Sequence, residues 1–289
     1  MKKIALALGG GSARGLAHIG FLRVLERENI PISRICGCSM GAMVGGAYCL
    51  YKNVDQVEEQ AYKFVNNPLF EEFNFEDYAE MDKRGDDWKS KALSVMGRIK
   101  VGLSLFKTLA HPSIYENSLV DQIYSNYPDA PIENLQLPFS ATTNDILTGE
   151  EVLISKGSLR FAVRASSAIP GYFPPVKYEN YLLVDGGVSN LVPTHFFRKD
   201  SNELILGVDV SQPIIQENVD LNSGVNIIQR AETIREYHLV KLKTQNADKV
   251  VHCNLNGFSW ADFSSIDEII KYGEKSAQEI IPWIVKNLD

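Results

Sequence analysis

Residues 3–15 read KIALALGGGSARG. The run Lys3 to Leu8 shows no polar alternation and stops at three glycines, as a strand buried on both faces would. Lys2 and Lys3 ahead of apolar residues imitate a signal sequence, but about five apolar residues are too few for its hydrophobic region. A helix follows over Ala13 to Glu28, a second strand over Ile32 to Cys38, and a second helix over Met40 to Tyr51. Strand, helix and strand joined by short connections predict a right-handed parallel crossover. The second helix contains Gly41, Ala42, Gly45, Gly46 and Ala47. Small residues cost helix propensity, so tight packing against a sheet is their reason. The chain is therefore read as α/β.

Further on, residues 53–127 read as mostly helical. Phe139 to Asp145 and Glu151 to Ser155 read as strands around a Leu147-Thr148-Gly149 turn, and a short helix over Leu159 to Ser167 is stopped by Pro170. Tyr181 to Val184 is a strand entering Asp185-Gly186-Gly187, and Glu203 to Val210 is another. A long helix over about Val225 to Gln245 places Ile227, Ala231, Ile234, His238 and Leu242 on one apolar face, which predicts burial of that face. Val250 to Asn254 closes the sheet and helices end the chain. No repeat or linker divides it, so residues 1–289 read as one domain with a helical insertion at about 53–127.

Composition narrows the function classes. The 289 residues are 45% hydrophobic and 22% charged, an ordinary globular balance. The net charge of −7 disfavours general nucleic-acid binding. No stretch of about 18 apolar residues predicts a membrane span. Cys36, Cys38, Cys49 and Cys253 form no disulfide framework and lack the histidine or cysteine partners of a metal site, so they read as small buried side chains. The expected location is the cytoplasm.

Two glycine-rich segments stand where chemistry is expected. Gly9-Gly10-Gly11-Ser12-Ala13-Arg14-Gly15 joins a strand to a helix, where backbone N–H groups and the helix terminus favour an anion. A phosphate-binding P-loop would need Gly-Lys-Ser/Thr, but Leu16 and Ala17 follow Gly15. A dinucleotide loop would need a glycine where Arg14 stands, and an acid at the end of the second strand, where Gly37-Cys38-Ser39 stands. An oxyanion hole formed by the Gly10 and Gly11 N–H groups and a plain tight turn both remain open. Gly37-Cys38-Ser39-Met40-Gly41 is a Gly-x-Ser-x-Gly turn between a parallel strand and a helix. Such a pentapeptide arises by chance in roughly one chain of this size in ten. Its place beside the glycine loop, at the strand edge where open α/β sheets carry their sites, is what raises its weight.

The base for such a serine is not obvious among the five histidines. His18 and His238 read as packed, His252 lies within an alternating strand, and His195 is the one triad candidate. Asp185, ending a hydrophobic strand before Gly186 and Gly187, is the alternative. With an ordinary carboxylate pKa near 3.9 it would be a weak base unless partly desolvated and in contact with the hydroxyl.

Four blocks, in order, resemble the patatin-like phospholipases, in particular the small bacterial ones. They are Gly9 to Gly15, Gly37 to Gly41, Ala165-Ser166-Ser167-Ala168-Ile169-Pro170, and Asp185-Gly186-Gly187 with Asn190 and Pro193 behind it. Asp145 to Gly149 resembles the family's Asp-x-x-Thr-Gly turn. The resemblance covers about residues 1–210. It implies a three-layer α/β/α patatin-like fold with a mainly parallel central sheet, and an acyl ester or lipid hydrolase that works without metal or cofactor. It implies that Ser39 is the nucleophile and Asp185 its base, in a dyad without histidine. Gly10 and Gly11 become the oxyanion donors, with Gly9, Arg14, Gly37, Gly41, Gly186 and Gly187 in support. A nucleotide-binding oxidoreductase or a non-catalytic scaffold of the same fold are the alternatives. Residues 83–107 carry seven basic residues against two acidic ones, with apolar residues between them. They read first as a solvated helical cap; the sharper expectation is peripheral membrane contact through about 83–109.

Overall fold

The computed structural model describes residues 2–75, 110–198, 200, 202–212, 214, 221 and 224–288. Eight strands form one mixed sheet: β1 (Lys3–Leu8), β2 (Ile32–Cys38), β3 (Phe139–Asp145), β4 (Glu151–Ile154), β5 (Val176–Tyr178), β6 (Tyr181–Asp185), β7 (Glu203–Asp209) and β8 (Lys249–His252). Their order is β5-β6-β3-β2-β1-β7-β8, with β4 also pairing β3. The stretch from β3 to β8 is parallel throughout. β4, β5 and β6 join it antiparallel. The expected mainly parallel sheet is thus present, and the short β5 is an addition that its three residues gave no periodicity to reveal.

Side-chain size along β1 assigns its two faces. Ile4, Leu6 and Leu8 point into the larger core, which is closed by α1 (Ala17–Arg27), α2 (Met40–Tyr51), α3 (Val54–Val65) and α4 (Pro68–Glu71), together with α5 (Asn117–Tyr124), α6 (Leu159–Ser166) and α8 (Ile266–Leu288). Ala5 and Ala7 point to the opposite face, where Val192, Phe197 and Val240 of α7 (Gly224–Lys243) cover them. Large residues alternating with alanine let one face take a thick helical layer and the other a close-lying loop and helix.

Two expectations change here. The first helix is split: Ser12–Leu16 is a 3-10 turn, and the α-helix starts at Ala17. The face of α7 expected to be buried is instead turned to solvent, with Ile227, Ala231, Ile234, His238 and Leu242 all exposed. The alanine face of the sheet is also covered by Val192 and Phe197 of the 191–197 segment, and α7 seats on it through Val240. The basic stretch 83–109, and with it the membrane-contact expectation, lies outside the described residues. Among the described residues no helix is long and apolar enough to cross a membrane.

α1 and α8 pack at backbone distance. A Cβ on Gly20 would lie 1.9 Å from the Ile270 carbonyl oxygen, and one on Gly273 would lie 1.8 Å from that of Ala17. Gly20→Ala and Gly273→Ala should each cost about 1–3 kcal/mol in urea unfolding, as overpacked cores do. Gly224→Ala, where an added Cβ meets nothing within 4 Å, should change stability little.

Candidate active site

The site forms where two strands meet end to end. β2 runs parallel to β3 and ends with Cys38 opposite Thr142. β6 runs antiparallel to β3 and ends with Asp185 opposite Thr143. β4 pairs residues 141–144 of β3 along one flank, so β2 and β6 share the other. Ser39 therefore leaves β2 where Asp185 ends β6. Asp145 holds that register: its carboxylate accepts from Leu182 N–H at 2.8 Å and from the Thr148 hydroxyl at 2.7 Å. This is the work of the Asp-x-x-Thr-Gly turn.

Ser39 occupies a strained turn, with φ 53° and ψ −121° before the first turn of α2. A non-glycine residue there costs on the order of 1–3 kcal/mol and must be held by its surroundings. Gly41 passes so close to β1 that a Cβ would lie 2.2 Å from the Leu8 carbonyl oxygen, and one on Gly37 would meet Ala42 N at 2.5 Å. The hydroxyl of Ser166 accepts from the Ser39 N–H at 2.9 Å and donates to the Thr142 carbonyl at 2.7 Å. Two residues on, the Ala168 carbonyl accepts from the Asp185 N–H at 2.9 Å. The Ala165 to Pro170 block carried no role of its own in the sequence. It holds both chain ends, because the end of α6 leaves a hydroxyl and a carbonyl free to reach them.

Ser39 and Asp185 are 7% and 6% exposed. The Ser39 hydroxyl lies close enough to the Asp185 carboxylate to help hold its pKa down. Asp185 Oδ1 also accepts from Gly187 N–H at 2.8 Å and from the Cys38 thiol at 3.7 Å. Burial lifts the Asp185 pKa from 3.8 to about 6, against the bonds from Ser39, Gly187 and Cys38, which lower it. Gly186 has no room for a side chain, since a Cβ would lie 2.6 Å from the Thr142 carbonyl oxygen.

The glycine loop lies beside the serine: a Cβ on Gly10 would be 3.3 Å from that of Ser39. Its peptide groups are not equivalent. Gly9 N–H donates to Val208 O and Gly10 N–H to Leu191 O, both at 3.0 Å. The Gly9 carbonyl accepts from His18 Nε2 at 2.7 Å. Ala13 N–H donates to Trp260 O, and Arg14 N–H to Gly11 O. Gly11 and Ser12 are left with N–H groups that donate to no described residue. Gly10 thus departs from its expected place as a free donor, because Leu191 already takes its proton. Ser12, with φ 50°, enters in its stead. The signal for Ser12 was a small residue straight after a glycine run, read only as part of the loop. Arg14 is 9% exposed and within electrostatic reach of Glu236 on α7.

The histidines are engaged elsewhere. His195 Nε2 donates to Glu151 Oε2 and its Nδ1 accepts from Asn190, each at 2.7 Å. His252 pairs with Asp209 at 2.8 Å. Buried His18 is held neutral, its pKa pushed down to about 4 by desolvation. His238, expected to pack, is exposed. Among the described residues no histidine hydrogen-bonds Ser39 or Asp185. The four cysteines are buried free thiols. What the geometry provides is a hydroxyl on a strained turn beside a desolvated carboxylate, with two N–H groups in the neighbouring loop that donate to no described residue.

The family described as Patatin-like phospholipase matches residues 6–198. The neuropathy target esterase sws of Drosophila melanogaster is 28% identical over 223 residues, covering 76% of this chain and 13% of that protein. Patatin-like phospholipase domain-containing protein 7 of Mus musculus is 31% identical over 316 aligned positions, covering 97% of this chain and 21% of that protein. The chain therefore spans between about an eighth and about a fifth of the length of these two relatives. VipD from Legionella pneumophila is similar in fold, with a TM-score of 0.51 at 12% identity, over 98% of this chain and 67% of that one.

The raised Asp185 pKa has a consequence for stability. Below the unfolded value of 3.8 the carboxyl is neutral in both states and its burial costs no charge. As pH rises through about 6 the folded state must accept a buried charge, and stability is lost. Asp185→Asn should therefore be more stable than the parent by about 2–3 kcal/mol near pH 8, and by nothing measurable near pH 3.5, in paired urea unfolding curves.

Proposed function

This chain belongs to the patatin-like phospholipase family, and on that premise we propose that it is a serine-dependent hydrolase of acyl esters, with lipids as the substrate class. The observation that carries the reading is a buried Asp185 carboxylate, lifted to about 6 and acted on by the neighbouring buried Ser39 hydroxyl. A carboxylate of ordinary pKa is a poor base for a hydroxyl; desolvation narrows that gap. The names of two relatives, an esterase and a phospholipase-domain protein, favour an ester substrate.

The steps balance with the groups present. Ser39 Oγ attacks the ester carbonyl while its proton passes to Asp185. The carbonyl oxygen becomes a tetrahedral oxyanion, which accepts from the Gly11 and Ser12 N–H groups. Collapse expels the alkoxide, which leaves as the alcohol with the proton from Asp185. Asp185 then deprotonates a water that attacks the acyl-enzyme, and the acid departs as the proton returns to Ser39 Oγ. Ser166 and Ala168 keep the serine and aspartate backbones in register. Arg14 steadies the glycine loop from the first turn of its helix.

Ser39→Ala and Asp185→Asn should each abolish ester cleavage, and Ser39→Ala should also abolish labelling by a fluorophosphonate. His195→Ala should keep most activity; loss there with retention in Asp185→Asn would replace the dyad by a triad. In the parent enzyme kcat/KM should fall with unit slope below about pH 6, because the base must be ionised to act.

The two loop donors can be separated from Gly10 by backbone amide-to-ester substitution. Removing the Ser12 N–H should lower kcat about 100-fold or more, as loss of one oxyanion donor does. The same change at Gly10 should chiefly cost stability, through its bond to Leu191. A larger kcat loss at Gly10 would restore that residue as the donor.

A further inference from the structure

We propose that the outer face of α7 is a docking surface for an anionic lipid bilayer, seating the Ser39–Asp185 site against the membrane. The proposal gives the acyl-ester reading its source of substrate, but the docking itself needs no catalysis. Exposed large apolar residues concentrate on this helix: Ile227 at 53%, Ile228 at 65%, Ile234 at 40%, Tyr237 at 42% and Leu242 at 58%. At 3.6 residues per turn Ile227, Ile234, His238 and Leu242 form one stripe, with Ile228 and Tyr237 at its two margins. The protein-facing side of the helix is used separately, through Val240.

Charge selects the occupant. Arg230, Arg235 and Lys241 flank the stripe, in a chain whose net charge is −7. The helix has two acids. Glu232 lies beyond the margin and pairs with Arg235, and Glu236 turns inward, within electrostatic reach of Arg14 and Asp185. Apolar side chains framed by cations suit an interface of acyl chains and anionic headgroups. Position supports the same choice: Arg235 Nη1 donates to the Val188 carbonyl at 3.3 Å, just past Asp185. Val188, three residues past Asp185, is itself 40% exposed.

The test uses Ser39→Ala protein, so that lipid is not consumed, in co-sedimentation with phosphatidylcholine vesicles with and without phosphatidylglycerol. Binding should require phosphatidylglycerol and fall at high salt. The double variant Ile227→Asp/Ile234→Asp should weaken it about tenfold or more, and Lys241→Glu should weaken it too. Val285→Asp, at a site 50% exposed on α8, should leave it unchanged. With Ser39 intact, the same variants should cleave a soluble short-chain ester at the parental rate, which establishes that they fold. The proposal is overturned if the α7 variants bind as the parent does, or if neutral vesicles bind equally well. It is also overturned if the parent is a dimer that the double variant converts to a monomer, which would give the face to a second copy. A parent that binds vesicles but cleaves no ester would sink the hydrolase reading and leave this one standing.

Discussion

Everything at the site depends on two strands stopping against each other on one flank of β3. β2 arrives parallel and ends opposite Thr142, and β6 arrives antiparallel and ends opposite Thr143. The turn after β2 and the terminus of β6 are thereby brought within the reach of one short side chain. A serine and an aspartate can hydrogen-bond directly there, with no imidazole between them. A plain parallel α/β sheet lacks this antiparallel β6.

Holding two chain ends together leaves backbone groups that the ladder cannot satisfy, and the structure satisfies them from one segment. Ser166 takes the Ser39 N–H and Ala168 takes the Asp185 N–H. The strained φ of Ser39 persists because Gly37 and Gly41 leave no alternative position for the turn. The same close packing removes water from Asp185 and raises its pKa. Strain, burial and basicity are thus three effects of one crowded junction.

Much of this was legible before the structure. β1, β2 and the helix between them follow from uninterrupted apolar runs bounded by glycine, and the observed strands match those readings closely. Gly37-Cys38-Ser39-Met40-Gly41 and Asp185-Gly186-Gly187 were found as motifs, and the two residues they carry do meet. Gly10 was less legible, because a glycine run does not say which N–H another segment will consume; Leu191 decides that from far along the chain. The face of α7 misled for a related reason. Apolar spacing predicts a face that avoids water, but whether the sheet has room for it depends on what already covers the sheet. Here Val192 and Phe197 of the 191–197 segment also cover it.

The amino-acid sequence by itself determined the α/β class, the strand–turn–helix units and the candidate pair Ser39 and Asp185. These are local: periodicity, glycine placement and strand termini act over a few residues. Tertiary structure alone decided that the pair are brought together, that Asp185 is desolvated, that the Gly10 N–H is taken up by Leu191 while those of Gly11 and Ser12 donate to no described residue, and that α7 shows an apolar face to solvent. Each of these depends on segments far apart in the chain competing for the same hydrogen bond or the same surface. Such a competition has an outcome only once the packing is complete.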